Sequence, residues 1–169
     1  MKRAVILGGT GVLGRAIAWR LIGAGWAVDI TGRDPGKMPA DLAAAGARFT
    51  VAERRDEAAL AGVIGAGADL LVDAVCYTGA DARQLLPHLP DVDSAVMLSS
   101  KAVYIDAAGN HVNSDVPPRF SAPIIESNPT MKPGIGAYDS REGYGANKVA
   151  AENILLDSRH PVTVIRASK

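Results

Sequence analysis

Apolar positions along the chain fall into short continuous runs, separated by stretches with helical spacing. The first run, Ala4-Val5-Ile6-Leu7, ends in Gly8-Gly9-Thr10-Gly11. Ile17, Ala18 and Leu21 then recur at the helical repeat, so the opening reads as strand, tight turn and helix. Gly23-Ala24-Gly25 stops that helix, and Trp26 to Thr31 predicts a second strand. A turn over Gly32 to Gly36, a short helix over Met38 to Ala45 and a third strand over Ala47 to Ala52 follow. Asp56 is placed to cap a helix over Glu57 to Ile64. Leu70 to Val75 predicts a fourth strand, apolar except for Asp73. A helix near Ala80 to Leu86 and a fifth strand over Asp93 to Ser99 complete this rhythm. Strands alternating with helices imply a parallel sheet covered on both faces, and near-continuous apolar strands suit that burial. The rhythm breaks over Gly109 to Tyr138, which holds Pro117, Pro118, Pro123, Pro129 and Pro133. So long an irregular stretch predicts a loop over a ligand crevice. Arg141 to Asp157 reads as a last helix and Pro161 to Arg166 as a sixth strand.

The glycine turn carries the first chemical signal. Gly8, Gly11 and Gly14 follow Gly-x-x-Gly-x-x-Gly, and Gly9, Gly11 and Gly14 also satisfy Gly-x-Gly-x-x-Gly. Gly8 lets the chain turn off the strand, Gly11 leaves room for a pyrophosphate, and Gly14 lets the helix pack close to the sheet. Free amides of Gly9, Thr10, Gly11, Val12 and Leu13, with the positive helix end, then face bound phosphates. The flanking strand and helix are the context this fingerprint demands. The predicted architecture is therefore an α/β, Rossmann-type doubly wound sheet of order 3-2-1-4-5-6, forming one nucleotide-binding domain over 1–169.

Composition narrows the partners. The 169 residues are enough for one domain with a real core. Lys+Arg and Asp+Glu each total 18, so no charge excess argues for nucleic acid or an acidic membrane. Cys76 stands alone, which excludes an intrachain disulfide and suits a reducing, cytoplasmic setting; no Cys/His cluster has zinc-ligand spacing. Met1-Lys2-Arg3 leads straight into the first strand without a cleavable signal, and no apolar run has the length of a membrane span. His88, His111 and His160 show no ligand spacing and are expected at the surface.

Arg33 follows the second strand, about twenty residues beyond the glycine turn, where such a fold meets the adenosine ribose. A guanidinium there supplies charge and a planar fork for a 2′-phosphate, which favours NADP; Asp34, one residue on, keeps NAD as the alternative. Glu53 and Arg54 end the third strand beside the expected adenine pocket. Either one contacts the base edge, or both are exposed strand-end charges.

Tyr144 and Lys148 lie one helical turn apart on one face. A phenol with a pKa of about 10 needs a stabilised anion to act as a base at neutral pH, and a nearby ammonium provides it. Ser99 and Ser100 stand at the carboxyl end of the fifth strand, where ligands of parallel sheets bind. With Gly8-x-x-Gly11-x-x-Gly14, Ser99-Ser100-x-x-Val103-Tyr104, Glu126-Ser127-Asn128-Pro129, Tyr144-x-x-x-Lys148 and Val164-Ile165-Arg166 in this order, the chain resembles the short-chain dehydrogenases/reductases. The likeness is to their extended type, the NAD(P)-dependent epimerase/dehydratase family.

The resemblance implies an oxidoreductase, epimerase or dehydratase acting on a nucleotide-sugar-like substrate. Tyr144 would be its acid/base, and Lys148 would hold the nicotinamide ribose and lower the tyrosine pKa. Ser100, with Ser99 as fallback, would hydrogen-bond the reacting oxygen, and Ala74 and Val75 would line the cofactor. A homodimer through the last helix is a further implication. Family enzymes carry a C-terminal part that binds substrate, which is not evident here, so the chain is expected to be the cofactor-binding part and to do little chemistry alone. Two other readings stay open: a non-catalytic NADP(H)-sensing regulator, and an epimerase-like protein associated with RNA. Cys76-Tyr77-Thr78 departs from the small residues usual after the fourth strand. Tyr77 either faces substrate or packs as a core aromatic, and Cys76 is expected to be buried rather than nucleophilic.

Overall fold

The computed structural model describes residues 1–65 and 67–168. Six parallel strands form one sheet in the order β3-β2-β1-β4-β5-β6. They are β1 (Arg3–Leu7), β2 (Ala27–Gly32), β3 (Arg48–Val51), β4 (Leu70–Asp73), β5 (Ala95–Ser100) and β6 (Val162–Ala167). The helices are α1 (Val12–Gly23), α2 (Ala40–Ala44), α3 (Glu57–Ile64), α4 (Gly79–Leu85) and α5 (Arg141–Leu156). β1 is central: Val5 is in register with Asp29 of β2 on one side and Leu71 of β4 on the other.

Both faces of the sheet are covered, which is why its central strands are mostly apolar, with Asp29 and Asp73 held by arginines. On one face Val5, Leu7, Leu71 and Met97 pack with Leu60, Val63, Leu85, Ala151 and Leu155 from α3, α4 and α5. On the other, Ile6, Val28, Ile30 and Val72 pack with Ala18 and Leu42 from α1 and α2. Each fully buried aliphatic side chain contributes about 1.5–3 kcal/mol relative to exposure, and this sets the register of the central strands.

Local departures from the sequence pattern have local causes. β4 ends at Asp73, short of Val75, because Asp73 Oδ1 accepts the Val75 N–H at 3.0 Å and turns the chain off the sheet. Asp73 is itself explained by Arg54, whose Nε and Nη2 donate to its Oδ2 at 2.8 and 2.7 Å. Arg54 is therefore not an exposed charge: it is 8% exposed and paired with a carboxylate that is 1% exposed. His111 is also not at the surface; it is buried, with Nε2 3.0 Å from Glu142 Oε2.

Between Val103 and Ser140 the chain has no helix or ladder strand, as expected from its prolines, yet it is well anchored. Ile105 N donates to Pro129 O, Met131 N to Val103 O and Gly134 N to Ala146 O. Phe120 and Met131 pack on Val103, Tyr104 and Val149.

Candidate functional site

The turn after β1 builds a cradle from backbone alone. Gly8 has φ +78°, a left-handed conformation that disfavours other residues. Gly14 lets α1 approach: a Cβ there would lie 2.4 Å from Gly8 O and 2.8 Å from Gly9 Cα. A Cβ on Gly9 would strike the Ile30 side chain at 2.4 Å. Gly11 is different, since a Cβ there would meet only Gly8 O, at 3.4 Å. The fold does not require glycine at that position by packing; the space beside it is open.

Helix caps point the same way. Asp56, Thr78 and Ser140 cap α3, α4 and α5 with bonds from Ala59 N, Asp81 N and Gly143 N. No side chain caps α1 among the described residues, and its first turn holds no acid. An uncapped helix start presents amides and the positive end of the dipole to whatever lies in front of it. In front of it is a cavity of about 470 Å³, at the carboxyl edge of the sheet and lined in part by Gly8, Thr10 and Gly11.

The cavity continues past the ends of β2 and β3. Thr31, Gly32, Arg33, Ala52, Glu53, Arg54 and Arg55 line it, with Val75, Tyr77 and Tyr138 at its other wall. Arg33 is 81% exposed and only 4.0 Å from Glu53 as a loose pair, so its guanidinium is free to turn onto a ligand. Asp34 is otherwise engaged: its carboxylate accepts the Gly36 N–H at 2.9 Å and caps the turn Pro35–Lys37.

Of the residues expected to hold a cofactor, Gly8, Thr10, Gly11, Arg33, Glu53 and Val75 line the cavity. Gly9 and Gly14 shape it from behind, and Val12 and Leu13 stand exposed at the first turn of α1. Ala74 faces the core formed with α1 and α2. Ser99 is buried and donates its hydroxyl to Glu152 Oε1 at 2.5 Å, in a cluster completed by Arg166 Nη2 on Glu152 Oε2 at 2.8 Å. That bond removes Ser99 from the crevice.

Tyr144 and Lys148 lie on α5, and Ser100 ends β5 just before the turn on which α5 rests. Ser100 Oγ accepts the Ala102 N–H at 3.1 Å and so caps the turn Lys101–Val103. Gly145 allows α5 to rest on that turn, since a Cβ there would be 2.6 Å from Ala102 O. Lys148 Nζ lies 6.0 Å from the centre of the Tyr144 ring. The ammonium is not open to the cavity, however. Lys148 is 2% exposed and donates to Cys76 O at 2.8 Å and Leu98 O at 2.9 Å. Burial lowers its pKa, while neighbouring acidic groups act in the opposite sense. Cys76 is fully buried, and burial pushes its thiol well above the usual range, so it is no nucleophile.

Tyr138 and Arg55 gave little warning in sequence, whereas Tyr77 was already open between facing substrate and packing. Tyr138 closes a long irregular segment, and nothing in its spacing places it over β4. In the fold its ring stacks on Tyr77 at 5.5 Å with 23° between planes, and Arg55 lies 5.3 Å over it. Among the described residues no helix is long and apolar enough to cross a membrane, and no acid/His/Cys group is arranged to hold a metal.

No protein-family model matches the chain, and no curated protein does. Solved structures do. UDP-glucose 4-epimerase from Stenotrophomonas maltophila, with bound NAD and formylated UDP-arabinopyranose, aligns with 98% of this chain and 52% of its own, at 19% identity and TM-score 0.72. UDP-N-acetylglucosamine 4-epimerase from Bacillus cereus aligns with 98% of this chain and 60% of its own, at 17% identity and TM-score 0.69. A short-chain dehydrogenase/reductase from Veillonella parvula DSM 2008 aligns with 98% of this chain and 68% of its own, at 14% identity and TM-score 0.72. The chain shares with them the doubly wound, Rossmann-type α/β fold. It spans about half to two thirds of the length of these three proteins. In this fold the cavity lies outside the carboxyl ends of β1 and β4, where the strand order reverses, the position at which doubly wound sheets bind ligands.

Proposed function

We propose that the chain is the cofactor-binding part of an NAD(P)-dependent oxidoreductase of the epimerase/dehydratase type. The observation that carries this reading is the uncapped start of α1 beside Gly11, opening on a cavity that continues to Arg33. The residues fit a dinucleotide: the amides of Val12 and Leu13 at the start of α1 would hold its pyrophosphate, those of Gly9 and Gly11 being bonded to Thr31 O and Gly8 O, and the cavity beyond Gly32 would take its adenosine. Arg33 supports NADP, because its guanidinium is exposed while the carboxylate of Asp34 is held in a turn. When bound, the nicotinamide supplies two-electron redox chemistry at a substrate carbon. Tyr144 would move the proton on the substrate oxygen, Ser100 would donate a hydrogen bond to that oxygen, and Lys148 would stabilise the phenolate. Such a set suits a hydroxylated, nucleotide-sugar-like substrate.

Titration of the chain with NADPH and with NADH, followed by calorimetry, tests the binding claim. Saturable binding with NADPH the tighter of the two is expected; no binding of either at millimolar concentration would overturn it. For the chemistry, the protein is assayed with a sugar-nucleotide panel beside Tyr144→Phe, and turnover unaffected by that change would remove the proposed acid/base. The burial of Lys148 favours one second reading, a protein that senses NADP(H) without turnover. Binding with no turnover on any substrate would select it.

A further inference from the structure

The cavity along the glycine turn and the Ser100/Tyr144/Lys148 group do not meet. The cavity is lined by Tyr77 and Tyr138 but by none of those three residues. Tyr77 touches both sides of the division: Lys148 Nζ lies 4.7 Å from the centre of its ring, and the Tyr138 ring stacks on it at 5.5 Å. Lys148 is thereby covered. We propose that Tyr77 and Tyr138 are specificity-determining residues that decide how much of a dinucleotide the crevice admits. With the pair stacked, the open cavity takes an adenosine phosphate alone, and the second nucleotide reaches Tyr144 and Lys148 only after the rings part. The inference rests on the dinucleotide reading given above and deepens it.

The movable parts are the rings, because the backbone on either side is held. Tyr77 N donates to Asp81 Oδ2 at 3.0 Å, within the capping box of α4. Beside Tyr138, Asn147 Nδ2 donates to Gly136 O at 2.8 Å and Ser140 Oγ to Ala137 O at 2.7 Å. Gly143 seats α5 directly against Ala137, leaving no room for a side chain between them. A hinged loop would have to break these bonds; side-chain rotation breaks none of them. What rotation does give up is the aromatic stack, the Arg55 cation over Tyr138 and, where Tyr77 turns, the Lys148 cation over its ring, each a weak contact. Arg55 is itself fixed by Asp81, its Nε 3.0 Å from Oδ1. The stack is thus a favoured closed state held by a guanidinium that the helix cap positions.

If the closed state predominates, a ligand that needs the rings apart binds more weakly by the fraction open, whereas a ligand confined to the cavity does not. Calorimetry compares adenosine 2′,5′-bisphosphate with NADPH, and ADP with NADH, on the wild-type chain, Tyr138→Ala and Tyr77→Ala. The expected result is that the affinity of at least one dinucleotide relative to its short counterpart rises about tenfold from wild type to Tyr138→Ala. Parallel changes for short and long ligands would overturn the inference alone, as would weaker dinucleotide binding to Tyr138→Ala, which would make that ring a ligand contact. Absence of binding by every ligand to every protein would instead overturn the dinucleotide reading and the inference with it. Tyr77→Leu, which retains apolar cover over Lys148, keeps the second position testable if Tyr77→Ala unfolds.

Discussion

Gly11→Ala and Gly14→Ala add the same methyl group three residues apart and should fail for opposite reasons. At Gly14 the new Cβ would sit 2.4 Å from Gly8 O and 2.8 Å from Gly9 Cα, both backbone atoms. Reaching ordinary contact requires α1 and the turn to separate by about 1 Å, at a cost of about 1–3 kcal/mol. Alanine returns up to about 1 kcal/mol over glycine inside a helix. The net loss is about 1–2 kcal/mol, or a fall in Tm of about 2–8 °C for a domain of this size. At Gly11 the Cβ meets only Gly8 O at 3.4 Å, and φ −76°, ψ 166° is open to alanine. Stability there should move by about 0.5 kcal/mol, the difference between glycine and alanine at a helix start. Nucleotide affinity should fall at least about tenfold, a loss of about 1.4 kcal/mol, because the methyl stands where phosphate must approach the amides. Differential scanning calorimetry gives the first quantity and isothermal titration with NADPH the second. If Gly11→Ala binds NADPH within threefold of wild type at unchanged Tm, on the order of 0.6 kcal/mol or less, the glycine turn is not the phosphate cradle.

The remaining predictions concern the polar groups that hold the crevice in shape. Arg54→Met strands the Asp73 carboxylate in the core and should cost about 3–5 kcal/mol in urea unfolding at neutral pH. A deficit below about 1 kcal/mol would contradict the buried ion pair. Asp81 is pushed up by burial, but its bonds from Arg55, Thr78 and Tyr77 outweigh that and leave its pKa lowered. Its stabilisation is present above the unfolded pKa and lost as pH falls through the folded one. Asp81→Asn should therefore cost about 1–3 kcal/mol at neutral pH, with the difference from wild type closing only below about pH 4; a gap already closed at pH 6 would refute it. Lys148→Met leaves the Cys76 and Leu98 carbonyls without the ammonium and should lose about 1–3 kcal/mol by chemical denaturation even without ligand; unchanged stability would show that those bonds are not structural.

Much of the architecture was legible from residue order. The run ending at Leu7, the third strand read over Ala47 to Ala52 and found at Arg48–Val51, the Asp56 cap and the helix from Arg141 are local patterns; their alternation implied a parallel sheet, and the glycine fingerprint its strand order. The glycine spacing marked the cavity wall for the same reason, since turn, amides and helix start are neighbours in sequence. Arg54 was misread because its partner Asp73 lies on β4, and a charge beside a strand end looks the same whether solvated or buried. Ser99 and Ser100 differ only in which face of β5 each occupies, and α5 supplies the Glu152 that claims one of them.

By itself, then, the order of residues determined the individual strands and helices and the glycine turn between β1 and α1, because each depends on contacts within a turn or two of the chain. Tertiary structure alone decided that the Lys148 ammonium is covered. Tyr77, Tyr138 and Lys148 come from three separate segments, and only the packing of α5 against β4 and β5 brings two rings and an ammonium into one stack. Contacts between distant segments are set by the summed burial of the whole core, and no spacing within any one segment records them.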